Sequence, residues 1–479
     1  MRQNPLLVFA PIVIIFLMSC VTDGPAESAA VEDPSAGAGT VEGGASAIER
    51  ADREAVEDAP EAADLVGALY EDAGDSGAAI EALERQGVEN MDPETRLVYA
   101  ILLRNEQEYD ASRDQLGIIL EENPAMAEAW FNLALVEHAV QDEGARDKAL
   151  DAAIDADRGY VEAYAFRGIL ASARSEWSAA EADFRRALEL DPESVDSLAG
   201  LGWLMLRNKN LDEALSLLTR AVDLDPDNVY ALVDRSRVNV ALENYAAASN
   251  DLGRAIELEP DVSWHHLDRA RIRFRYFNDL DGALADLTEV ERLDPDNFFA
   301  LVYLAGVHDQ QRRFQTSMGY YRRVIEARPD YIWAYMPLGK LEWMAGDYEA
   351  AASWFAKASA EDPEEFSFAM MAGVSLLKAG RKQEASRVFS RAIRPYGPGD
   401  TVYEVIRFCA DGTSDYYAIN ALNKETDAVL RERLWFYIGA VYDVMGNAPG
   451  ARAAYERIAE KKGHMEFDMA WAALNGMGG

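Results

Sequence analysis

The chain has 479 residues, 49% of them hydrophobic, which is enough to bury a large core. It contains 84 Asp and Glu residues against 46 Lys and Arg residues, giving a formal net charge of −38. This acidity argues against nucleic-acid binding, because phosphate contacts need clustered basic side chains. The two cysteines and five scattered histidines provide neither a disulfide framework nor a zinc-ligand set, so we expect no metal and no cofactor.

The amino terminus predicts an export signal. An apolar run over residues 6–18 follows a basic start and is too short for a stable membrane span. It ends at Leu17-Met18-Ser19-Cys20, which resembles a bacterial lipobox, although Met18 is bulkier than the usual residue. The resemblance implies a lipoprotein signal peptide over residues 1–19 and lipid on Cys20, which would place the protein on a cell-envelope membrane, on the periplasmic side or the cell surface. The alternative is an ordinary signal peptide with a chance cysteine.

Residues 20–58 predict a tether. They are rich in Ala, Gly, Asp and Glu, and their acidic residues face only Arg50 and Arg53 as basic residues. Few large apolar side chains and repulsion between like charges favour a disordered, extended segment. We therefore expect an acidic tether that holds the folded part away from a membrane.

A helical segment that ends in proline recurs along the rest of the chain. Its closing prolines are spaced 34, 34, 35, 34 and 34 residues apart. A constant period of this length predicts a solenoid in which each repeat is one structural module. The copies are Trp177–Pro192, Leu211–Pro226, Tyr245–Pro260, Leu280–Pro295, Phe314–Pro329 and Tyr348–Pro363.

Each repeat reads as two helices. The unit that begins at Val161 shows the pattern. One face of its first helix carries Tyr164, Gly168 and Ala171. A second stripe with the same spacing runs through the segment from Trp177, and Pro192 ends that second helix. The pattern predicts a helical hairpin.

The repeat resembles the tetratricopeptide repeat family, as shown by Tyr335, Leu338-Gly339, Tyr348, Ala351, Phe355, Ala358 and Pro363. The resemblance implies an all-α fold, a right-handed alpha-alpha superhelix of about eleven to twelve hairpins. We place the array at residues 59–399, a degenerate hairpin at 400–431, and the last repeat with a capping helix at 432–479. The array units begin near residues 60, 93, 127, 161, 195, 229, 263, 298, 332 and 366.

Charged residues at the seventh position of the first helix predict ion pairs inside three repeats. Where that position is Arg, the facing position of the second helix is Asp; where it is Leu201, its counterpart is Leu217. A half-buried Arg is costly unless a carboxylate satisfies its guanidinium. The expected structural pairs are Arg167 with Asp183, Arg235 with Asp251, and Arg269 with Asp286.

The family resemblance also implies a groove lined by the first helices, with a floor at their second, fifth, ninth, twelfth and thirteenth positions. Aromatic and Arg residues dominate binding hot spots, and here they would interrupt an acidic exterior. The alternative is that several of the aromatics pack between neighbouring first helices. The candidate groove residues are Trp203, Arg207, Tyr230, Arg237, Trp264, Arg271, Arg275, Phe299, Trp333, Lys340 and Trp343.

These features favour a lipid-anchored scaffold of the bacterial cell envelope that binds a protein or an extended peptide in its groove. A binding protein for a small molecule, glycan or lipid is the alternative. An enzyme is not expected, because the sequence has no Gly-rich phosphate loop, His-Glu-x-x-His motif or Gly-x-Ser-x-Gly elbow, so we name no catalytic residue.

Overall fold

The computed structural model of the protein describes residues 51, 52, 55, 76–413, 415–458 and 464–475. These residues form 24 α-helices and, within the same ranges, no β-strand. The all-α fold predicted from the sequence is confirmed. The predicted signal peptide, Cys20 and the first half of the unit near residue 60 lie outside the described residues.

The described residues fall into two compact units, divided between His265 and His266. In the amino-terminal unit, helix α1 precedes five complete hairpins, and each helix packs against the next. The helices are α1 Ser76–Gln86, α2 Pro93–Asn105, α3 Tyr109–Glu122, α4 Ala127–Ala139, α5 Glu143–Ala156, α6 Val161–Ala173, α7 Trp177–Leu190, α8 Val195–Arg207, α9 Leu211–Leu224, α10 Val229–Ala241 and α11 Tyr245–Leu258.

Helix α12 begins in the amino-terminal unit, and the helices from α12 onwards continue the alternation and end in a single helix after the last hairpin. They are α12 Ser263–Ile272, α13 Leu280–Leu293, α14 Phe298–Gln310, α15 Phe314–Ala327, α16 Tyr335–Met344, α17 Tyr348–Glu361, α18 Phe366–Lys378, α19 Lys382–Ala392, α20 Thr401–Asp411, α21 Asp415–Lys424, α22 Ala428–Val444, α23 Ala448–Glu456 and α24 Met465–Asn475.

A left-handed residue makes the turn inside each regular hairpin. Ser175 has φ 61°, and the N–H of Glu176 donates to the Ala171 carbonyl at 2.8 Å. This arrangement satisfies carbonyls that the end of the first helix leaves without partners. The same conformation recurs with the repeat at Gln107, Gln141, Lys209, Glu243, Asn278, Arg312, Gly346, Gly380 and Gly446.

The two helices of a hairpin approach closely where a glycine faces an aromatic ring. A Cβ atom on Gly373 would lie 2.3 Å from Phe389, and one on Gly168 would lie 2.8 Å from Phe184. Both rings are almost fully buried. These positions therefore require glycine for close packing.

One repeat carries an extra residue, which accounts for the single 35-residue spacing. The first helix of that repeat continues from α12 into a π-helical turn at Arg273–Phe277, and Asn278 then takes the left-handed position with φ 50°. A π-helical turn accommodates one additional residue without ending the helix. Phe277 is exposed there, and Arg275 is partly exposed.

Three residues of the predicted tether are described, and they are not extended. Ala51, Asp52 and Ala55 are helical, and the two alanines are buried. Asp52 Oδ2 lies 2.6 Å from Nη2 of Arg104, at the end of α2. Extending the tether through these residues was wrong, because the two alanine side chains are buried and the Asp52 carboxylate pairs with Arg104.

The last part of the chain departs from simple stacking. The degenerate hairpin expected at 400–431 is the pair α20 and α21, yet α22 also packs directly on α18, which belongs to the unit before that hairpin. The expected capping helix is α24. It packs on α22 and α23, and also on α16, the first helix of the fourth hairpin before it.

Candidate functional site

The structure brings together the three Arg–Asp pairs named from the sequence. Each guanidinium meets its carboxylate with two hydrogen bonds, between 2.7 and 3.1 Å long, which join the first and second helices of one repeat. The hydrogen bonds to Asp183 raise the pKa of Arg167. These charges are therefore used inside the repeats. The pairs are Arg167–Asp183, Arg235–Asp251 and Arg269–Asp286.

We call the surface formed by the five floor positions of the first helices the first-helix face, and each unit has its own. In the amino-terminal unit, Arg207 is exposed and Trp203 is partly exposed. The Arg207 guanidinium lies 3.9 Å from the centre of the Trp177 ring, and that ring lies 5.6 Å from the ring of Trp203. Arg207 and Trp203 thus belong to one cation–aromatic cluster with an accessible edge.

Three further candidates of the amino-terminal unit, Tyr230, Arg237 and Trp264, are also partly exposed. Arg237 Nη1 lies 2.9 Å from Asp234 Oδ1 on the same helix. Its charge is therefore partly balanced locally.

In the carboxyl-terminal unit, Arg271, Arg275, Phe299 and Trp333 are partly exposed. The Arg271 side chain is 41% exposed and lies 3.2 Å from Asp268. The Tyr303 ring of α14 lies 6.0 Å from the ring of Phe274. Burial raises the pKa of Tyr303, and the charges of Arg271 and Arg275 oppose that rise. This part of the first-helix face is basic and aromatic.

Two candidates are not accessible. Lys340 is 5% exposed and Trp343 is 3% exposed. Placing them on an open groove was wrong, because α24 packs on α16 and the Trp343 ring lies 5.4 Å from the ring of Phe436 on α22. The family positions imply an empty groove, whereas the chain's own helices cover this part of it.

Charged contacts fix α24 on α16. Lys340 Nζ lies 2.8 Å from Asp309 and 3.4 Å from Asp468 of α24. Burial opposes the charge on Lys340, but the two carboxylates outweigh that effect and raise its pKa. The guanidinium of Arg312, which our sequence reasoning did not name, lies 4.2 Å from the centre of the Trp471 ring.

A buried cluster holds the beginning of α24. Glu466 is fully buried, 3.1 Å from Arg433 Nε, and it accepts a hydrogen bond of 2.8 Å from the Tyr437 hydroxyl. Burial and then the Glu466 charge raise the pKa of Tyr437. Sequence reasoning missed this cluster, whose only local signal was a Glu inside an apolar helix.

A polar cleft of about 370 Å³ lies between α5, α6 and α7 in the amino-terminal unit. Its charged lining residues pair with one another: Arg174 lies 2.7 Å from Asp147, and Arg167 lies 2.9 Å from Asp151. Those internal pairs make the cleft a poor candidate for a small-molecule site.

The fold and the first-helix faces define a helical-repeat protein that presents binding surfaces. Models of the tetratricopeptide repeat match residues 100–165, 167–229, 205–272, 272–332 and 336–400, more than half of the chain. The chain belongs to the tetratricopeptide repeat family, whose members are generally protein-interaction scaffolds. None of the described helices has both the length and the apolar character that a membrane span requires.

No curated protein matches the chain. Solved structures match parts of it. YrrB, described as a TPR protein with an unusual peptide-binding site, is 22% identical over 39% of this chain and 95% of its own, with a TM-score of 0.36. Pseudomonas aeruginosa pilF is 19% identical over 44% and 96%, with a TM-score of 0.38. A tetratricopeptide repeat protein from Parabacteroides merdae is 18% identical over 54% and 99%, with a TM-score of 0.36.

Proposed function

We propose that this protein is a lipid-anchored scaffold of the bacterial cell envelope, and that it binds a protein or peptide on its first-helix faces. The observation that carries the proposal is the accessible set Arg271, Arg275, Phe299 and Trp333, which is basic and aromatic in a chain of net charge −38. Aromatic and Arg side chains are the usual anchors of protein interfaces. Positive charge on an acidic molecule also orients an approaching acidic partner.

The proposal of a lipid anchor is based on the amino-terminal sequence. Leu17, Ser19 and Cys20 fit a lipobox, and acyl chains on Cys20 would hold the protein on a membrane without a spanning helix. The acidic residues before Ala51 would keep the array at a distance from that membrane.

Photo-crosslinking in intact cells tests the binding proposal. Photoreactive residues at positions 264 and 271 sample the first-helix faces, and matched probes at Arg254 and Arg292, which lie exposed on second helices, sample the opposite side of the hairpins. We expect one protein to be captured by the first pair and not by the second. Capture by the probe at position 264 should be lost when Arg271 and Arg275 are replaced by Glu. Capture from the second-helix probes alone would refute the assignment.

A further inference from the structure

The chain already binds helical segments on its own first helices, and those contacts indicate the chemistry that such faces recognise. In the carboxyl-terminal unit the bound segment is α24. It presents Asp468 to Lys340 and the Trp471 ring to Arg312. Residues three apart lie on the same side of a helix, so one carboxylate and one indole reach two different repeats together.

The amino-terminal unit contains a second, independent example. Asp52, in a helical conformation, meets Arg104, which is the twelfth residue of its repeat and therefore a floor position. Arg104 also donates to Asn132 of the next first helix at 2.7 Å. Ala51 and Ala55, on either side of Asp52, are buried.

The two segments share three properties: a helical backbone, a carboxylate that faces a cation of a first helix, and small alanines that permit close approach. Ala470 and Ala472 supply the alanines in α24, and both are buried. Close approach lowers the separation between the opposite charges, and partial burial strengthens their attraction.

The open part of the carboxyl-terminal unit offers the same kind of floor. Arg271 lies on α12 and Arg275 lies in the π-helical turn that continues it, and both side chains are partly exposed. Phe299 and Trp333 provide aromatic surface on the next two repeats. Asp268 balances part of the charge of Arg271, yet 41% of the Arg271 side chain is still exposed.

We propose that the partner's binding segment is an acidic, alanine-containing α-helix with an aromatic residue, and that Arg271 and Arg275 receive its carboxylates. This inference rests on the proposed function and specifies its partner. An acidic helix is the complement of this surface because the local charge is positive, whereas the surrounding exterior repels acidic chains elsewhere. The aromatic residue of the helix packs on Phe299 or Trp333, as Trp471 packs on Arg312 within the chain.

Fluorescence anisotropy with a synthetic peptide tests the inference on the full chain. The probe is a fluorescein-labelled peptide with the sequence of residues 464–475, stapled to hold it helical because a free helix of that length is marginal in water. The control peptide carries Lys in place of both Glu466 and Asp468. We expect the acidic peptide to bind and the control peptide not to bind.

Charge reversal on the protein provides the matched comparison. Arg271→Glu with Arg275→Glu should weaken binding of the acidic peptide by about tenfold or more, the effect of losing about 1.4 kcal/mol. Arg292→Glu, on the second helix of the same repeat, should leave the affinity within about twofold of the original. The control peptide with Lys should bind the doubly reversed variant, a rescue that a damaged fold would not show.

Four results would overturn the inference. The first is equal binding of the acidic peptide to the unchanged protein and to the doubly reversed variant. The second is binding only after residues 21–50 are deleted, which would make the chain's own acidic segment the occupant. The third is a dimer in sedimentation that the double reversal dissociates, which would make a second copy the occupant. If the crosslinking experiment captures a partner through a segment that is neither acidic nor helical, the inference fails while the proposed function stands.

Discussion

Arg235 and Asp251 occupy the places that Leu201 and Leu217 occupy in the preceding repeat. The leucine pair is buried, and the charged pair is nearly so, with 19% and 9% of its side chains exposed. The backbone of the repeat therefore accepts either an apolar contact or a salt bridge at this point. What it does not accept is one charge alone, because an unpaired guanidinium in such surroundings is poorly solvated.

Asp251→Ala should reduce the free energy of unfolding by roughly 3–5 kcal/mol, because Arg235 is left without its carboxylate. Urea unfolding followed by circular dichroism measures the loss, and hydrogen exchange assigns it to α10 and α11. The double replacement Arg235→Leu with Asp251→Leu copies the neighbouring repeat and should recover most of the stability. A double variant as unstable as the single one would contradict this explanation.

Helix α24 could be predicted from the sequence, but its packing on α16 could not. The stripe through Phe467, Ala470 and Trp471 predicts an amphipathic helix, and the repeated spacing predicts hairpins because neighbouring helices are neighbours in sequence. The Arg167–Asp183 pair can be predicted in the same way, because its two residues lie 16 positions apart within one repeat. The contact between Lys340 and Asp468 spans 128 residues and follows no period. Burial of Lys340 and Trp343 therefore could not be read from the repeat.

Glu466→Ala should detach the beginning of α24, at a cost of about 3 kcal/mol, because Arg433 would remain buried with only Glu365 as its carboxylate partner. Hydrogen exchange over residues 465–475 should accelerate. Asp468→Asn is the matched comparison: Asp468 is half exposed and Lys340 keeps Asp309, so the expected cost is below about 1 kcal/mol. Equal acceleration in both variants would show that the buried cluster does not hold the helix.

The net acidity of the chain bears on how the protein could associate with a membrane. With a net charge of −38 the protein has no general attraction to anionic lipid, so any stable membrane association must come from another source. The proposed lipid on Cys20 supplies that source. On a membrane, the same acidity would keep the arrays of neighbouring molecules apart, while the basic part of a first-helix face would still attract an acidic partner.

Cys20→Ser should move the protein from the membrane fraction to the soluble fraction and abolish incorporation of labelled palmitate. Cys409→Ser serves as the control. Cys409 is buried, and burial raises the pKa of its thiol, so it is unreactive and its replacement should leave the fractionation unchanged. Retention of the Cys20→Ser protein in carbonate-washed membranes would show that the anchor lies elsewhere.

The reach of α24 back to α16 sets an order of events during synthesis. A hairpin such as α10 and α11 can close as soon as its second helix leaves the ribosome, because its ion pair joins residues 16 positions apart. The contact between Lys340 and Asp468 cannot form until 128 more residues have been added. At synthesis rates of about 5–20 residues per second this takes roughly 6–26 s. Throughout that interval the nascent chain exposes an aromatic and cationic surface that the finished protein hides. A chaperone that binds the growing chain would therefore contact a surface that is not exposed to the binding partner of the finished protein.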